Sequence, residues 1–389
     1  MSTYIVLTSK CYENARANGI CGKKIQEALI KQGYRAILVG YTPNKLESEL
    51  EVKEDCYKFH YAGGKHKSTK IDSIKRIFVP RYNKELVNRY VDICEDIISS
   101  NRVDAIVGIY FPIETLIAMD ILKKRYGIKT ISYQVDSATD VAIYSDIMHR
   151  LHTYAYVMKA KSIYKNIDYV IAMTSNRLNM EKRYLSILGN KLLFVDSLAL
   201  YEKHHPNKRE NKKTIDFLYT GTLDKDYYSP KPFIEMFVNN SDRLNWRLHF
   251  YSRGNCDDML KRAADNDDRI VLHGYVDQEM LDDAMKNADF FLSTDHLVKK
   301  NCVPYKILNY FSYGKPVIHF TKEAGFTVEN YIDKYPLGLT VNQEKILEEN
   351  RRIREFVDNN IDNSCSVDEI YKLFHKDTAK YSAEIIEKL

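Results

Sequence analysis

The chain has 389 residues, 44 % hydrophobic and 29 % charged, with a formal net charge of +5. A single core rarely grows past about 250–300 residues, so two folded domains are expected and a disordered chain is excluded. No stretch approaches 18 consecutive apolar residues, which argues against a membrane span.

"YIVLTS" (4–9) reads as a first strand rather than a signal peptide. "GKKIQEALIKQGY" (22–34) predicts a helix capped by Gly33, and "AILVGY" (36–41) the next strand. The window 57–89 then carries nine Lys/Arg, from Lys58 to Arg89, against Asp72 and Glu85, interleaved with Tyr57, Phe59, Tyr61, Phe78 and Tyr82. It reads as a solvated basic face or as a surface for an anionic membrane. No nucleic-acid-binding signature accompanies the charge, so nucleic acid is not expected as a partner. "NKELVNRYVDICEDIISSN" (83–101) predicts a helix, "DAIVGIY" (104–110) a strand, and "PIETLIAMDILKKRYG" (112–127) a helix with Pro at its start and Gly past its end. "KTISYQVD" (129–136), "VMKAKSIYKNI" (157–167) and "DYVIAMTS" (168–175) predict strand, helix and strand. The β-α alternation argues for a parallel sheet with helices on both faces.

The polar, charged segment 201–214 interrupts the alternation and marks a linker between a first domain, 1–200, and a second, 215–366. There the pattern restarts: "IDFLYTG", "KPFIEMFVNN", "WRLHFYS", "DDMLKRAAD", "RIVLHGY", "QEMLDDAMKNA" and "DFFLST" alternate strand and helix up to "NCVPYKILNYFSYGKPVIHF" (301–320). The tail 367–389 has helical spacing and no following strand.

The seven cysteines (Cys11, Cys21, Cys56, Cys94, Cys256, Cys302 and Cys365) are odd in number and widely spaced, without a C-x-x-C pair. This argues against a disulfide framework or structural zinc site and for a reducing cytoplasm. Each reads as buried apolar filler or as a reactive thiol.

Open parallel sheets bind ligands beyond the carboxyl ends of their strands. Four such ends stand out: "LYTGTLDKD" with Gly221, "HFYSRGN" with Arg253 beside Gly254, "VLHGYV" with Gly274, Tyr275 and Val276, and the loop Asn301–Lys306 before a short helix. The free amides of that helix's first turn favour an anion such as a diphosphate; an ordinary αβ connection with incidental lysines is the alternative.

"VPYKILNYFSYGKPVIHF" resembles the donor-site segment of retaining GT-B glycosyltransferases of the GT4 group, in which a Pro-x-Lys turn leads into a helix ending in Gly-Lys-Pro-Val-Ile. "RIVLHGYVDQEMLDDAMKNADFFLST" and "IDFLYTGTL" resemble the same family's preceding elements, so the likeness covers about 215–320 well. In the first half "NGICGKKIQEALIKQGYRAILVG" and "NIDYVIAMTS" resemble it more weakly. The resemblance implies the GT-B fold: two Rossmann-like, doubly wound parallel-sheet domains facing across a cleft, with the C-terminal helix 367–389 packing back on the N-terminal domain.

Carried onto this sequence, it implies that Gly221 and Thr222 sit at the donor diphosphate, that Tyr275 and Val276 flank the nucleobase, and that Val303, Pro304, Tyr305 and Lys306 turn around the phosphates. Asn301 and Asn309 stand where the family has the two glutamates of E-x7-E, near the sugar and the ribose. Losing the charge costs roughly 1–1.5 kcal/mol, about tenfold in affinity, which is compatible with activity. The family's arginine after the glycine is replaced by Thr222; Lys225, Lys231 or Arg253 supplies the positive charge instead. Lys306 is expected to help the nucleoside diphosphate depart. Asp136 contacts the sugar or acceptor, or caps a helix. Gly19 and Gly22 admit an acceptor at the first loop, or serve as turn glycines.

"DKD" (224–226) has the D-x-D form of a metal-nucleotide site in a different, one-domain fold, and no metal is expected. "GGKH" lacks a P-loop's Ser/Thr, "GICGKK" is no dinucleotide fingerprint, and no G-x-S-x-G elbow occurs. His249 and His273 read as core histidines in strands. The expectation is a cytoplasmic retaining glycosyltransferase, peripheral at the inner membrane face through 57–89. It uses a nucleotide-sugar donor as substrate without a cofactor, acts on a saccharide, lipid-linked or protein acceptor, and serves bacterial surface-glycan synthesis. A non-catalytic GT-B partner subunit and a sugar-nucleotide epimerase are the alternatives.

Overall fold

Apolar runs in this chain are continuous rather than alternating, as strands buried on both faces require. In the computed structural model, which describes residues 2–11, 17–46, 48–61, 80, 82–110, 112–135, 147–196, 198, 200, 213–295 and 303–389, they form two parallel sheets, one in each of two compact units. Residues 1–198 and 379–389 make the first unit and 199–378 the second.

In the first unit the order is β1 (Thr3–Lys10), α1 (Ala17–Lys31), β2 (Arg35–Thr42), β3 (Leu50–Lys53), β4 (Cys56–His60), α2 (Lys84–Ser100), β5 (Ala105–Tyr110), α3 (Ile113–Tyr126), β6 (Lys129–Gln134), α4 (Ile147–Tyr164), β7 (Tyr169–Met173), α5 (Arg177–Leu188) and β8 (Leu192–Val195). The sheet runs β3-β4-β2-β1-β5-β6-β7-β8 and is parallel except at β3. Successive side chains alternate faces. Ile5 and Leu7 therefore enter one core with α2 and α3, while Tyr4 and Val6 enter the other with Ile25 and Leu29 of α1.

The second unit continues with β9 (Ile215–Leu223), α6 (Lys231–Val238), β10 (Trp246–Gly254), α7 (Asp257–Asn266), β11 (Ile270–Leu272), α8 (Gln278–Asn287), β12 (Phe290–Thr294), α9 (Tyr305–Phe311), β13 (Val317–Thr321), α10 (Thr327–Lys334), β14 (Gly338–Asn342), α11 (Ile346–Asn360) and α12 (Val367–Phe374). Its sheet order, β11-β10-β9-β12-β13-β14, is that of a doubly wound dinucleotide-binding fold. Phe217 and Tyr219 face one core and Leu218 the other. The order reverses between β9 and β12, the place where such sheets take their ligand.

The tail expected as one helix is two. α12 belongs to the second unit, and α13 (Ala379–Lys388) joins the first. There Tyr133 Oη and Ser382 Oγ are 2.9 Å apart, and Ala383 and Ile386 fill the α1-side core. α1 begins at Ala17, not at residue 22, so Gly19 and Gly22 are helical rather than loop glycines. A Cβ on Gly22 would lie 2.6 Å from the Thr8 side chain, so this glycine serves the close packing of α1 on β1. α4 starts ten residues earlier than its expected first residue, 157. The linker 201–212 and most of the basic window lie outside the described residues. Of the window's described aromatics, Phe59 is fully buried, and Tyr57, Tyr61 and Tyr82 pack against the same core. Lys58 is paired with Glu51 at 3.0 Å and Arg89 with Glu49 at 3.3 Å. Over the described part of the window the aromatics are drawn into the core, while the Lys58 and Arg89 pairs lie at the surface.

Candidate active site

The reversal point of the second sheet places four of the predicted strand ends along one edge. β9 ends in Gly221, Thr222 and Leu223, and Gly221 adopts φ +111°, a conformation that a side chain disfavours. α9 follows β12 and sets its second residue, Lys306, over this turn: a Cβ on Gly221 would lie 3.4 Å from Lys306 Nζ. Gly221 and Thr222 are exposed, so the ammonium end meets an open patch of backbone.

Lys306 is held from the core side. Its Nζ donates to Tyr219 Oη at 2.6 Å and lies 4.0 Å from the centre of that ring and 5.3 Å from Tyr228's. Tyr219 in turn donates to Thr222 O at 3.0 Å. Among the described residues no carboxylate pairs with Lys306. Burial without a counter-charge lowers its pKa to about 7. α9 itself is fastened by Tyr310, whose Oη takes the amide of Thr220 at 2.9 Å, and whose ring stacks on Phe291 at 4.5 Å. With seven residues the helix offers little beyond this attachment. The positive group over the Gly221 turn is the side chain of Lys306.

The edge continues outward. Arg253 stands opposite Thr222 in the β9–β10 register, and Gly254 opposite Leu223. Gly254 has φ +145°, and a Cβ there would lie 1.7 Å from Leu223 O, so only glycine fits. The Arg253 guanidinium covers the Tyr275 ring at 4.9 Å, and Tyr275 is 59 % exposed. Lys306, Gly221, Thr222, Arg253 and Tyr275 thus form a continuous row, with Val276 beside it. Of the three cations offered as a replacement for the missing arginine, Arg253 is the one beside Thr222. Lys231 pairs with Glu235 at 3.4 Å, and Lys225 is exposed on the turn 224–228.

Other predicted residues stand apart or outside. Asn309 shares the Lys306 face of α9 but points Nδ2 at Met285 Sδ, 3.9 Å away. Val303 and Pro304 lead into α9, Pro304 buried, and Tyr305 is its first residue. Asn301 and Asp136 lie outside the described residues. The Asp224 carboxylate of "DKD" accepts from Asp226 N at 2.9 Å and Asn255 Nδ2 at 3.1 Å, holding its own turn. His249 and His273 are not core residues. They contact each other at 3.0 Å, and the Tyr251 ring lies flat on His273 at 4.1 Å. Lys315, the lysine of Gly-Lys-Pro, caps the end of α8 by donating to Lys286 O and Ala288 O.

Sequence reasoning passed over two sets of residues. Tyr219 and Tyr310 have no role in the sequence reading, yet they position Lys306 and α9. Ser293, Asp295 and His319 form a buried chain: Ser293 Oγ to His319 Nδ1 at 2.6 Å, and His319 Nε2 to Asp295 Oδ1 at 2.8 Å. All three are sealed from solvent, so this is an internal brace at the end of β12 and not a hydrolytic triad.

Residues 214–359 match the family model described as "Glycosyl transferases group 1". Solved structures of similar shape include sucrose-phosphate synthase from Thermosynechococcus elongatus (13 % identity, TM-score 0.69, covering 100 % of this chain and 98 % of that one). An α,α-trehalose-phosphate synthase (UDP-forming) from Burkholderia vietnamiensis (9 %, 0.62, 100 % and 99 %) and the lipopolysaccharide outer core galactosyltransferase WaaB (13 %, 0.59, 99 % and 100 %) are further examples. At these identities the likeness establishes the fold, GT-B. No curated protein matches by sequence.

Proposed function

We propose that this chain, a GT-B protein whose residues 214–359 are a Glycosyl transferases group 1 domain, is a retaining glycosyltransferase. Its second unit binds a nucleotide-sugar donor with the diphosphate between Gly221, Thr222 and Lys306. The observation that carries this reading is the half-buried Lys306 ammonium, which has no carboxylate partner among the described residues and lies over a glycine turn at the sheet's reversal point. Arg253 adds a second positive charge, and Tyr275 and Val276 offer a surface for the base. Positive charge on the diphosphate comes, in this reading, from these side chains rather than from a resident metal.

In the reaction the bond from the sugar's anomeric carbon to the diphosphate breaks. The acceptor hydroxyl bonds to the same face of that carbon, and its proton passes to the departing diphosphate. Lys306 stabilises the charge that develops there. The first unit receives the acceptor, a saccharide, a lipid-linked saccharide or a protein, in the cytoplasm and in the service of glycan synthesis.

A thermal-shift panel of UDP, GDP, dTDP, CDP and ADP sugars tests the reading. One donor at 100 times its Kd stabilises the fold by about 2.7 kcal/mol, which raises Tm by several degrees (about 2–4 °C per kcal/mol for a domain of this size). No response to any donor at millimolar concentration overturns the enzyme assignment. That result would favour a non-catalytic partner subunit, a reading suggested by the asparagines at 301 and 309. Turnover of a donor without acceptor would instead identify an epimerase.

A further inference from the structure

We propose that Cys11 and Cys56 in the first unit are a peroxide-reactive pair that closes into a reversible disulfide. Their Sγ atoms are 3.2 Å apart, so forming a bond of about 2.05 Å asks for an approach of about 1.2 Å. Both thiols are free and half-buried, whereas Cys21, Cys94, Cys256 and Cys365 are buried.

The pair reaches across a strand. Cys11 stands one residue past β1, its amide donating to Tyr41 O of β2 at 2.9 Å. Cys56 opens β4, opposite Leu38 of β2. β2 therefore lies between them, and two side chains meet over an intervening strand only where that strand leaves room. Gly40 of β2 leaves it: a Cβ there would stand 2.7 Å from Cys11 Cβ and 3.0 Å from Thr8 Cγ2. The thiol–thiol hydrogen bond, with Cys11 donating, selects the nucleophile, and Lys58 and Lys23 favour a thiolate at either sulfur. The hydrogen bond from Cys11, followed by Lys58 of β4 and Lys23 of α1, lowers the Cys56 thiol to about 7 against burial and Glu51 of β3, while Cys11 is raised.

The chemistry balances with a peroxide as oxidant. The Cys56 thiolate attacks one peroxide oxygen, the O–O bond breaks, and hydroxide leaves, giving a sulfenic acid. Cys11 sulfur then attacks Cys56 sulfur. The S–S bond forms, the S–O bond breaks, and the second oxygen departs as water with the Cys11 proton. Two thiols are oxidised and one peroxide is reduced to two waters.

The test treats the full chain with hydrogen peroxide and follows intact mass and a non-reducing digest. Loss of two hydrogen atoms, with a linked Cys11–Cys56 peptide that dithiothreitol releases, is expected. In Cys11→Ser the reaction stops at a Cys56 sulfenic acid that dimedone captures. Gly40→Val, which fills the space over β2, slows closure and lets the same sulfenic acid accumulate. Consumption of Cys56 rises about fivefold from pH 6 to 7 and only about twofold from pH 7 to 9, following the thiolate fraction. Free Cys11 and Cys56 after peroxide, Cys56 linked elsewhere, or a rate climbing tenfold per unit through pH 8 would overturn the proposal.

Discussion

Lys306→Met is expected to lower kcat about 10²–10³-fold with the matched donor while making the folded protein more stable at neutral pH. A donor pre-organised toward developing negative charge contributes about 2.7–4 kcal/mol to a rate; methionine keeps the length and loses the charge. The stability sign follows from linkage. Folded Lys306 has a pKa of about 7 against an ordinary 10.5. Between these values the unfolded chain binds more protons, so stability contributed by this residue rises with pH from about 7 to 10.5 and is lowest below 7. Removing the ammonium lifts that penalty, so the gain from Lys306→Met is largest at and below pH 7 and vanishes above 10.5. Tyr219 keeps its bond to Thr222 O, so the turn survives the substitution. Diphosphate binding restores the ordinary pKa, and the free protein must take up a proton. Calorimetry in two buffers of different ionisation enthalpy should show uptake of about half a proton at pH 7 and about 0.9 at pH 8. Buffer-independent heats with the wild type, or undiminished kcat in the variant, would remove Lys306 from the site.

The double α/β architecture was legible because both sheets are buried on two faces and bounded by helices of one periodicity. The misread parts have local causes. The β3–β4 hairpin turns at Glu54 and Asp55, both with positive φ, rather than at the Asn-Gly or Asp-Gly that announces such turns. Asp55 is held there by Arg35, 2.9 and 2.8 Å away and 20 residues earlier, a tertiary reason that no local pattern carries. Gly19 and Gly22 resemble loop glycines, but Gly22 is needed for contact with Thr8. In the proposed site, the residues that the structure brings together, Gly221, Arg253, Tyr275 and Lys306, could be singled out in sequence because backbone freedom and charge fall at strand ends. Tyr219 and Tyr310 could not, since their function is contact across 87 and 90 positions of sequence. Lys306 and Lys315 look alike in sequence; the structure separates them by giving Lys315 two carbonyls and Lys306 a glycine turn.

His319→Ala should be among the most destabilising single substitutions in the second unit, at about 3–5 kcal/mol in urea unfolding, because it leaves the Asp295 carboxylate buried without its partner. Asp295 and His319 are both sealed from water. The carboxylate takes His319 Nε2–H on one oxygen and the Lys322 amide at 3.0 Å on the other. Asp295→Asn is expected to cost much less. An asparagine oxygen keeps the Lys322 amide, and its Nδ2 donates to Nε2 once the imidazole proton moves to Nδ1, which then donates to Ser293 Oγ. Each of the three side chains then keeps a hydrogen bond to its neighbour, at the cost of the acceptor of the Ser293 hydroxyl hydrogen. Ser293→Ala removes one hydrogen bond and should cost about 0.5–1.5 kcal/mol. Activity discriminates the brace from a reacting group: Ser293→Ala should retain turnover within about twofold, since its Oγ has no route to substrate. A collapse of turnover in Ser293→Ala with its folding intact would place the serine in the chemistry. An Asp295→Asn protein as unstable as His319→Ala would show that charge, rather than satisfied hydrogen bonding, holds the end of β12.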